Sequence, residues 1–192
     1  QLRYYLIKEV SLGNDGSISM KNLKNCINND LANNYGNLCQ RVFSFIKKNC
    51  NNKIPNNKNF LEVDRKLINN LQNSVPELIK LMNKQNLNEY IKQVVKFSFD
   101  ANKYFNDLEP WAVKKTNIER MNIIIYTVVH QIKNISILLS PIIPDSAIKI
   151  LNIINIKKDQ INLKNISNIN LFDHNKELKE LEILFKKIEN DN

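Results

Sequence analysis

Apolar residues in the first quarter of the chain recur every three or four positions. The series consists of Leu23, Ile27, Leu31, Tyr35, Leu38, Val42 and Ile46. Steps of three and four residues return a side chain to the same face of an α-helix, whereas a strand alternates faces at every residue. The spacing therefore predicts one long amphipathic helix that begins after Ser19, a residue type suited to an N-cap, and ends near Asn49.

Three further long stretches show the same helical spacing. They cover roughly residues 61–81, 87–105 and 117–139. Within the first of them, Pro76 is expected to kink or divide the helix near Ser74, because proline cannot donate a backbone hydrogen bond. A short helix is predicted after Pro144, and a last short helix is predicted to carry Leu178, Leu181 and Leu184.

Turn-forming residues are scarce, with only 3 glycines and 5 prolines in 192 residues. This scarcity argues against an all-β fold. Short loops between long amphipathic helices predict an all-α protein, specifically an antiparallel helix bundle. We expect three parts: a short irregular linker segment at 1–18, with a helix end, a strand-like passage and a turn at residues 13–16; the bundle at 19–155; and a C-terminal extension at 156–192 that packs back on the bundle.

The formal net charge of +9 and the isoelectric point near 9.4 favour a polyanionic partner, either nucleic acid or an anionic membrane surface. The three cysteines, Cys26, Cys39 and Cys50, lack metal-ligand spacing and are expected to be buried or inert thiols in a reducing compartment. No apolar run is expected to be long enough to span a bilayer, and no membrane partner is predicted. The chain opens in mid-element without Met or a signal peptide, which suggests a piece of a longer protein.

Neither a catalytic nor a metal-binding constellation is recognisable in the sequence. His130 and His174 are isolated, and each is interpreted as a structural residue. The acidic residues near the C-terminus have the spacing of a solvated helix face with cross-turn charge pairs. The sequence therefore predicts no catalytic residue, no metal site and no cofactor in this chain.

A binding face is the remaining functional signal. Asn37 and Arg41 are four residues apart, so both stand on one face of the first long helix, and together they could read the edge of a base. Trp111, the only tryptophan, follows a proline in the stretch "DLEPWAVKK". Two interpretations of Trp111 are open from the residues alone: a packing anchor at a helix start, or a platform on which an unpaired base stacks.

The sequence resembles the C-terminal part of methionyl-tRNA synthetases, which are class I aminoacyl-tRNA synthetases. "INNDLANNYGNLCQRVFSFIKKN" is similar to the first helix of their anticodon-binding domain, and "ANKYFNDLEPWAVKK" to the helix that ends in a proline–tryptophan step. "LLSPIIPDSAIKIL" resembles a helix pair shared more broadly by class I enzymes. "LRYYLIKEVSLGNDGSIS" resembles the segment that joins the catalytic domain to the bundle. "LFKKIE" resembles a closing motif, with Lys186 where a proline is common.

The resemblance implies that Asn37, Arg41 and Trp111 contact a CAU anticodon. The indole would stack on the first anticodon base, while the amide and guanidinium contact base edges. Pro110 would fix the chain direction and hold the indole outward. Three lysines, Lys48, Lys114 and Lys115, are candidates for phosphate contacts, and this last role is inferred from their positions.

The resemblance also implies partners and cofactors outside this chain. The whole enzyme would join methionine to its tRNA through an adenylate, using ATP and Mg²⁺, with a catalytic domain N-terminal to Gln1 and zinc in that missing part of some members. The chain alone is expected to be inactive, and its setting cytoplasmic or, alternatively, an organellar matrix or stroma. Two alternatives are open: the corresponding domain of a valine, leucine, isoleucine or cysteine enzyme, and a helical protein–protein module. A basic membrane-surface domain would need a helix with a lysine-rich face and an aromatic opposite face, and no such helix is recognisable in the sequence.

Overall fold

The computed structural model describes residues 1–10, 18–180 and 182–189, and over these ranges the chain is helical with no strand. The helices are α1 (Leu2–Glu9), α2 (Met20–Cys26), a π-helical segment (Ile27–Gly36), α3 (Asn37–Asn49), α4 (Glu62–Asn83), α5 (Leu87–Asp107), α6 (Pro110–Val113), α7 (Ile118–Leu139) and α8 (Pro144–Ile153). Two 3₁₀ turns follow, at Lys158–Gln160 and Leu163–Asn165. The prediction of an all-α helix bundle is confirmed. The predicted turn at residues 13–16 lies outside the described residues.

Helix α7 lies at the centre of the bundle. Every residue from Ile123 to Leu139 is buried, and α3, α4, α5, α6 and α8 all pack against this helix. Its sequence is apolar on all sides rather than on one stripe, which is the pattern of a fully enclosed helix. Burial of the Ile, Val and Leu side chains of α7 contributes to the hydrophobic stabilisation of the fold.

Helix α7 is long and apolar enough to span a membrane, by length and mean hydropathy alone. The expectation that no apolar run is long enough was therefore wrong. In the structure, 94% of its most apolar window is buried inside the bundle. Contacts with the five surrounding helices account for its apolar composition.

The polar side chains of α7 reach three different neighbours. Gln131 donates to the Leu67 carbonyl of α4 at 3.3 Å, and the Ser136 hydroxyl lies 2.7 Å from that of Tyr35 in the π segment. The Lys133 ammonium donates to two backbone carbonyls of the C-terminal extension, those of Asn165 and Asn168, at 2.6 and 2.8 Å. Since an unpaired buried polar group is costly, these bonds specify which neighbour lies where.

A buried carboxylate joins α4, α5 and α7. Arg120 approaches Asp64 with two nitrogens, at 2.6 and 2.9 Å. The Tyr104 hydroxyl and the Leu61 backbone N–H also donate to that carboxylate, at 2.5 and 2.8 Å. Burial alone would raise the pKa of Asp64, but the donated hydrogen bonds outweigh it and lower the pKa.

The structure corrects two details of the predicted helices. Helix α4 is not divided near Ser74, the second of the two effects expected of Pro76, since it runs unbroken through Pro76 to Asn83. The Ser74 hydroxyl donates to the Asn70 carbonyl one turn earlier, which supplies local bonding beside the proline.

The last helix, predicted to carry Leu178, Leu181 and Leu184, is absent from the described residues 178–180 and 182–189. Part of the backbone there bonds to other segments instead. The Leu178 N–H donates to the Asn52 carbonyl at 2.8 Å, and the Lys179 N–H donates to the Ile153 carbonyl at 3.2 Å. Leu178 is nevertheless buried. The periodic leucines therefore include a core contact made by a segment that is not helical.

We predict that Asp64→Asn lowers the free energy of unfolding by about 3 kcal/mol, because removing one partner of a buried pair leaves the other charge uncompensated. Asp107→Asn, which breaks the solvent-exposed pair with Lys103, should cost less than about 1 kcal/mol. Chemical denaturation of both variants measures the difference. Equal losses would contradict the assignment of Asp64 as the anchoring carboxylate.

Lys133 predicts a specific pH dependence of stability. Burial lowers the pKa of this lysine to about 7 from 10.5. Between these values the unfolded chain binds the extra proton and the folded chain does not, so stability should rise with pH over that window, by at most about 1.4 kcal/mol per pH unit. Denaturation of the parent and of Lys133→Met from pH 7 to 10 should show the rise in the parent only. Parallel profiles of stability against pH in the two proteins would refute the assignment of this effect to Lys133.

Candidate nucleic-acid interface

The helix that carries Asn37 and Arg41 is wound more loosely than an α-helix over part of its length. Its buried residues form adjacent pairs at intervals of four: Cys26–Ile27, Asp30–Leu31, Asn34–Tyr35, Leu38–Cys39 and Val42–Phe43. An α-helix makes a turn in about 3.6 residues, so a four-residue repeat would drift by about 40° per turn. The wider π turns compensate for this drift, and the Asn37 N–H bonds to the Ala32 carbonyl five residues back.

Side-chain bonds fix the first half of this helix. Ser19 caps it, as predicted, by accepting from the Asn22 N–H at 3.3 Å. Asp30, in the π segment, accepts from the Tyr4 hydroxyl at 2.8 Å and pairs with Lys8 at 2.7 Å. Both partners belong to α1, so α1 is fixed directly to the loosely wound segment.

The winding leaves Asn37 exposed at the start of α3 and Arg41 half-buried one turn later. The two side chains share a face, as the spacing predicted. The Arg41 guanidinium donates to the Asn106 side-chain oxygen at 2.7 Å. This bond holds the guanidinium at the surface where α3 meets the end of α5.

Trp111 is presented by a four-residue helix, α6, that follows a sharp change of direction. Glu109 adopts a left-handed backbone conformation with φ of 40°, and Pro110 is the first helical residue. Pro110 is buried, whereas 39% of Trp111 is exposed. The indole is therefore partly packed against the bundle and partly open to solvent.

Two aromatic rings and one guanidinium form the core of this surface. The Phe105 and Trp111 rings meet edge to face with centroids 5.7 Å apart. The Arg41 Cζ lies 5.1 Å from the Phe105 centroid and 6.0 Å from the Trp111 centroid, a distance at which a cation and a ring attract each other. The fold thus places Arg41 and Trp111 together at one end of the bundle.

The three candidate lysines differ in their surroundings. Lys114 donates to the Asn49 side-chain oxygen at 2.7 Å and so ties α6 to the end of α3. Lys48 is exposed on α3, and Lys115 is exposed in the turn that follows α6.

Two contributors to the surface were not predicted as site residues: Phe105, which lies under Arg41, and Asn106, which fixes it. Asn106 stands four residues after Asn102, so a polar pair at helical spacing on α5 was the signal that could have drawn attention to it.

The described residues contain no cluster of three or more His, Cys, Asp or Glu side chains that could hold a metal ion. Cys39 is fully buried, and burial raises the pKa of its thiol. Cys50 is half-buried, and burial raises the pKa of its thiol to about 11. High pKa values leave little thiolate at neutral pH, so these thiols are poor nucleophiles.

Two family models match the chain, and each match contains part of this surface. Residues 54–192, which include Trp111, match the anticodon binding domain of methionyl tRNA ligase. Residues 1–43, which include Asn37 and Arg41, match the class I tRNA synthetases for methionine. The chain belongs to the methionyl-tRNA ligase family.

Curated relatives and solved structures agree with this family. A methionine–tRNA ligase of Brucella suis is 38% identical over 160 residues, which is 83% of this chain and 31% of the relative. One from Rickettsia felis is 31% identical over 195 residues, 100% of this chain and 38% of the relative. The apo methionyl-tRNA synthetase of Mycobacterium tuberculosis superimposes with a TM-score of 0.91 at 27% identity, covering 99% of this chain and 39% of that one.

The chain spans about a third of the length of the methionine–tRNA ligases that it matches. The matched third includes the helix bundle and the surface formed by Arg41 and Trp111. The likeness in fold thus extends over the whole described bundle.

Proposed function

We propose that this chain recognises the CAU anticodon of methionine tRNA as part of a ligase that attaches methionine to that tRNA. One observation carries the proposal: the Arg41 guanidinium lies 6.0 Å from the centre of a partly exposed indole, with the exposed Asn37 one turn away. A flat ring, hydrogen-bond donors and an acceptor on one surface are what recognition of an unpaired base requires.

Each side chain has a distinct role in the proposal. Trp111 stacks on the splayed first anticodon base, with its edge contact to Phe105 fixing the plane of the indole. Asn37 and Arg41 bond to base edges. Lys48 and Lys115 meet backbone phosphates, and Lys114 does so in addition to its bond with Asn49. The +9 net charge of the chain attracts the RNA.

Formation of the adenylate would take place in another part of the protein. The catalytic domain would precede Gln1 and form the adenylate with ATP and Mg²⁺, and any zinc would also be held there. Residues 1–18 would connect that domain to the bundle at 19–155, with 156–192 as the extension. We propose a cytoplasmic setting, or the matrix or stroma of an organelle.

Trp111→Ala is the central test of this function. Loss of base stacking should weaken binding of a CAU anticodon stem-loop by about 1–3 kcal/mol, or roughly one to two decades in affinity. The folded state should persist, because the indole is only partly buried. Arg41→Ala should likewise bind more weakly and discriminate less against a changed first anticodon base. Thermal melting and stem-loop binding are measured on the same samples.

Two matched variants serve as controls for that test. Ile148→Ala removes an apolar side chain of similar exposure, 37%, from α8. Arg65→Ala removes one positive charge from the exposed face of α4. Both should bind the stem-loop like the parent. A folded Trp111→Ala protein with the parent's affinity would refute the stacking role.

Salt dependence provides an independent prediction. Each lysine–phosphate contact releases counterions, so the logarithm of the affinity should fall linearly with the logarithm of salt concentration, with a slope of about −0.7 per contact for a single strand. Three lysines near the surface predict a shallow slope of roughly −2. Titrations of the stem-loop between low and physiological salt measure it. Affinity that does not change with salt would contradict an RNA partner.

A further inference from the structure

Asn102 stands one helical turn before Asn106 on the face of α5 that meets the π segment. Its amide donates to both oxygens of Asn34, the backbone carbonyl at 3.1 Å and the side-chain oxygen at 2.8 Å. Asn34 in turn donates to the Val95 carbonyl of α5 at 3.4 Å. Asn34 is only 2% exposed. An amide pair, with Asn34 buried and Asn102 half-buried, thus joins the last turn of the π segment to α5.

The position of this pair along the helix matters for Arg41. Asn34 lies three residues before Asn37, at the point where winding returns from π to α. Each residue of an α-helix turns the chain by about 100°, so a change of one residue in register here would swing every later side chain by about that angle. Arg41 would then point away from Trp111.

Close packing at Gly36 accompanies the change of winding. Gly36, the last π residue, has no side chain, and an added Cβ would lie 2.9 Å from the Leu31 carbonyl oxygen and 3.0 Å from Phe185. The close approach is compatible with the wide turn but offers no directional bond. The directional side-chain bonds near the π-to-α transition come from the Asn34–Asn102 pair, toward α5, and from Tyr35, toward α7.

We propose that Asn34 and Asn102 are positioning residues for anticodon recognition: their amide pair holds the π winding and so points Asn37 and Arg41 toward Trp111. This inference rests on the proposed function of Arg41 and Trp111. Neither amide is required to touch RNA. One row of α5 then controls Arg41 at two points, through Asn102 on the winding and through Asn106 on the guanidinium itself.

The test is stem-loop binding by Asn102→Ala and Asn102→Asp in the full-length protein. Asn102→Ala removes the donor, and Asn102→Asp keeps the shape but faces two oxygens of Asn34 with a group that cannot donate when ionised. Each should weaken binding of the CAU stem-loop by roughly threefold to tenfold, as the loss of one or two hydrogen bonds implies. Preference over a stem-loop with a changed first anticodon base should fall by a similar factor.

A double variant separates positioning from general loss of stability. If Asn102 acts through Arg41, Asn102→Ala should have a smaller effect on binding in an Arg41→Ala background than in the parent. Ile150→Val, at a fully buried position of α8, lowers the melting temperature by removing a core methyl group. This control should leave both affinity and base preference unchanged.

The outcomes distinguish this inference from the proposed function. If Arg41→Ala binds like the parent, the proposed function fails and the positioning role fails with it. If Arg41→Ala binds weakly while both Asn102 variants keep the parent's affinity and base preference, only the positioning role is overturned. Additive effects in the double variant would also overturn it, because independent contributions mean that Asn102 does not act through Arg41.

Discussion

The bundle depends on enclosing α7, a helix that is buried on every side and yet carries polar groups. Three of those residues, Gln131, Ser136 and Lys133, bond to different neighbours: the Leu67 carbonyl on α4, Tyr35 in the π segment, and the Asn165 and Asn168 carbonyls in the C-terminal extension. Hydrophobic burial alone would tolerate sliding or rotation of the outer helices. Directional bonds from the centre exclude those alternatives and give one arrangement.

The helix at 20–49 connects that arrangement to the Arg41–Trp111 surface. Tyr35 contacts α7 and Asn34 contacts α5, so adjacent residues in the π segment are each bonded to a different core helix. Immediately after them the chain presents Asn37 and Arg41. On the other side of the surface, the Asp64–Arg120 pair secures the start of α7, directly after the short helix that carries Trp111. Rigid elements therefore support both halves of the surface.

Local patterns predicted the fold well, because α-helical periodicity follows from the sequence alone. The three–four spacing located the long helices, and the four-residue separation placed Asn37 and Arg41 on one face. Contacts between distant segments were beyond that reasoning. The meeting of Arg41 and Trp111 depends on how α3 and α6 pack, so spacing alone could not give it. The leucines near Leu178 had helical spacing, but the backbone there bonds to Asn52 and Ile153 instead. The π winding was not predicted. The corresponding pattern is the series of buried pairs that recur every four residues along this helix.

The end of the chain bonds back to the start of the π segment. The Asn28 side chain donates to the Ile188 carbonyl at 3.0 Å and accepts from the Ile188 N–H at 2.9 Å, while the Phe185 ring lies 6.2 Å from that of Tyr35. On a ribosome, these contacts can form only after Ile188 has been synthesised and has left the exit tunnel. The helices of the bundle have earlier partners and can assemble first, so the segment that orients Arg41 completes its contacts after them.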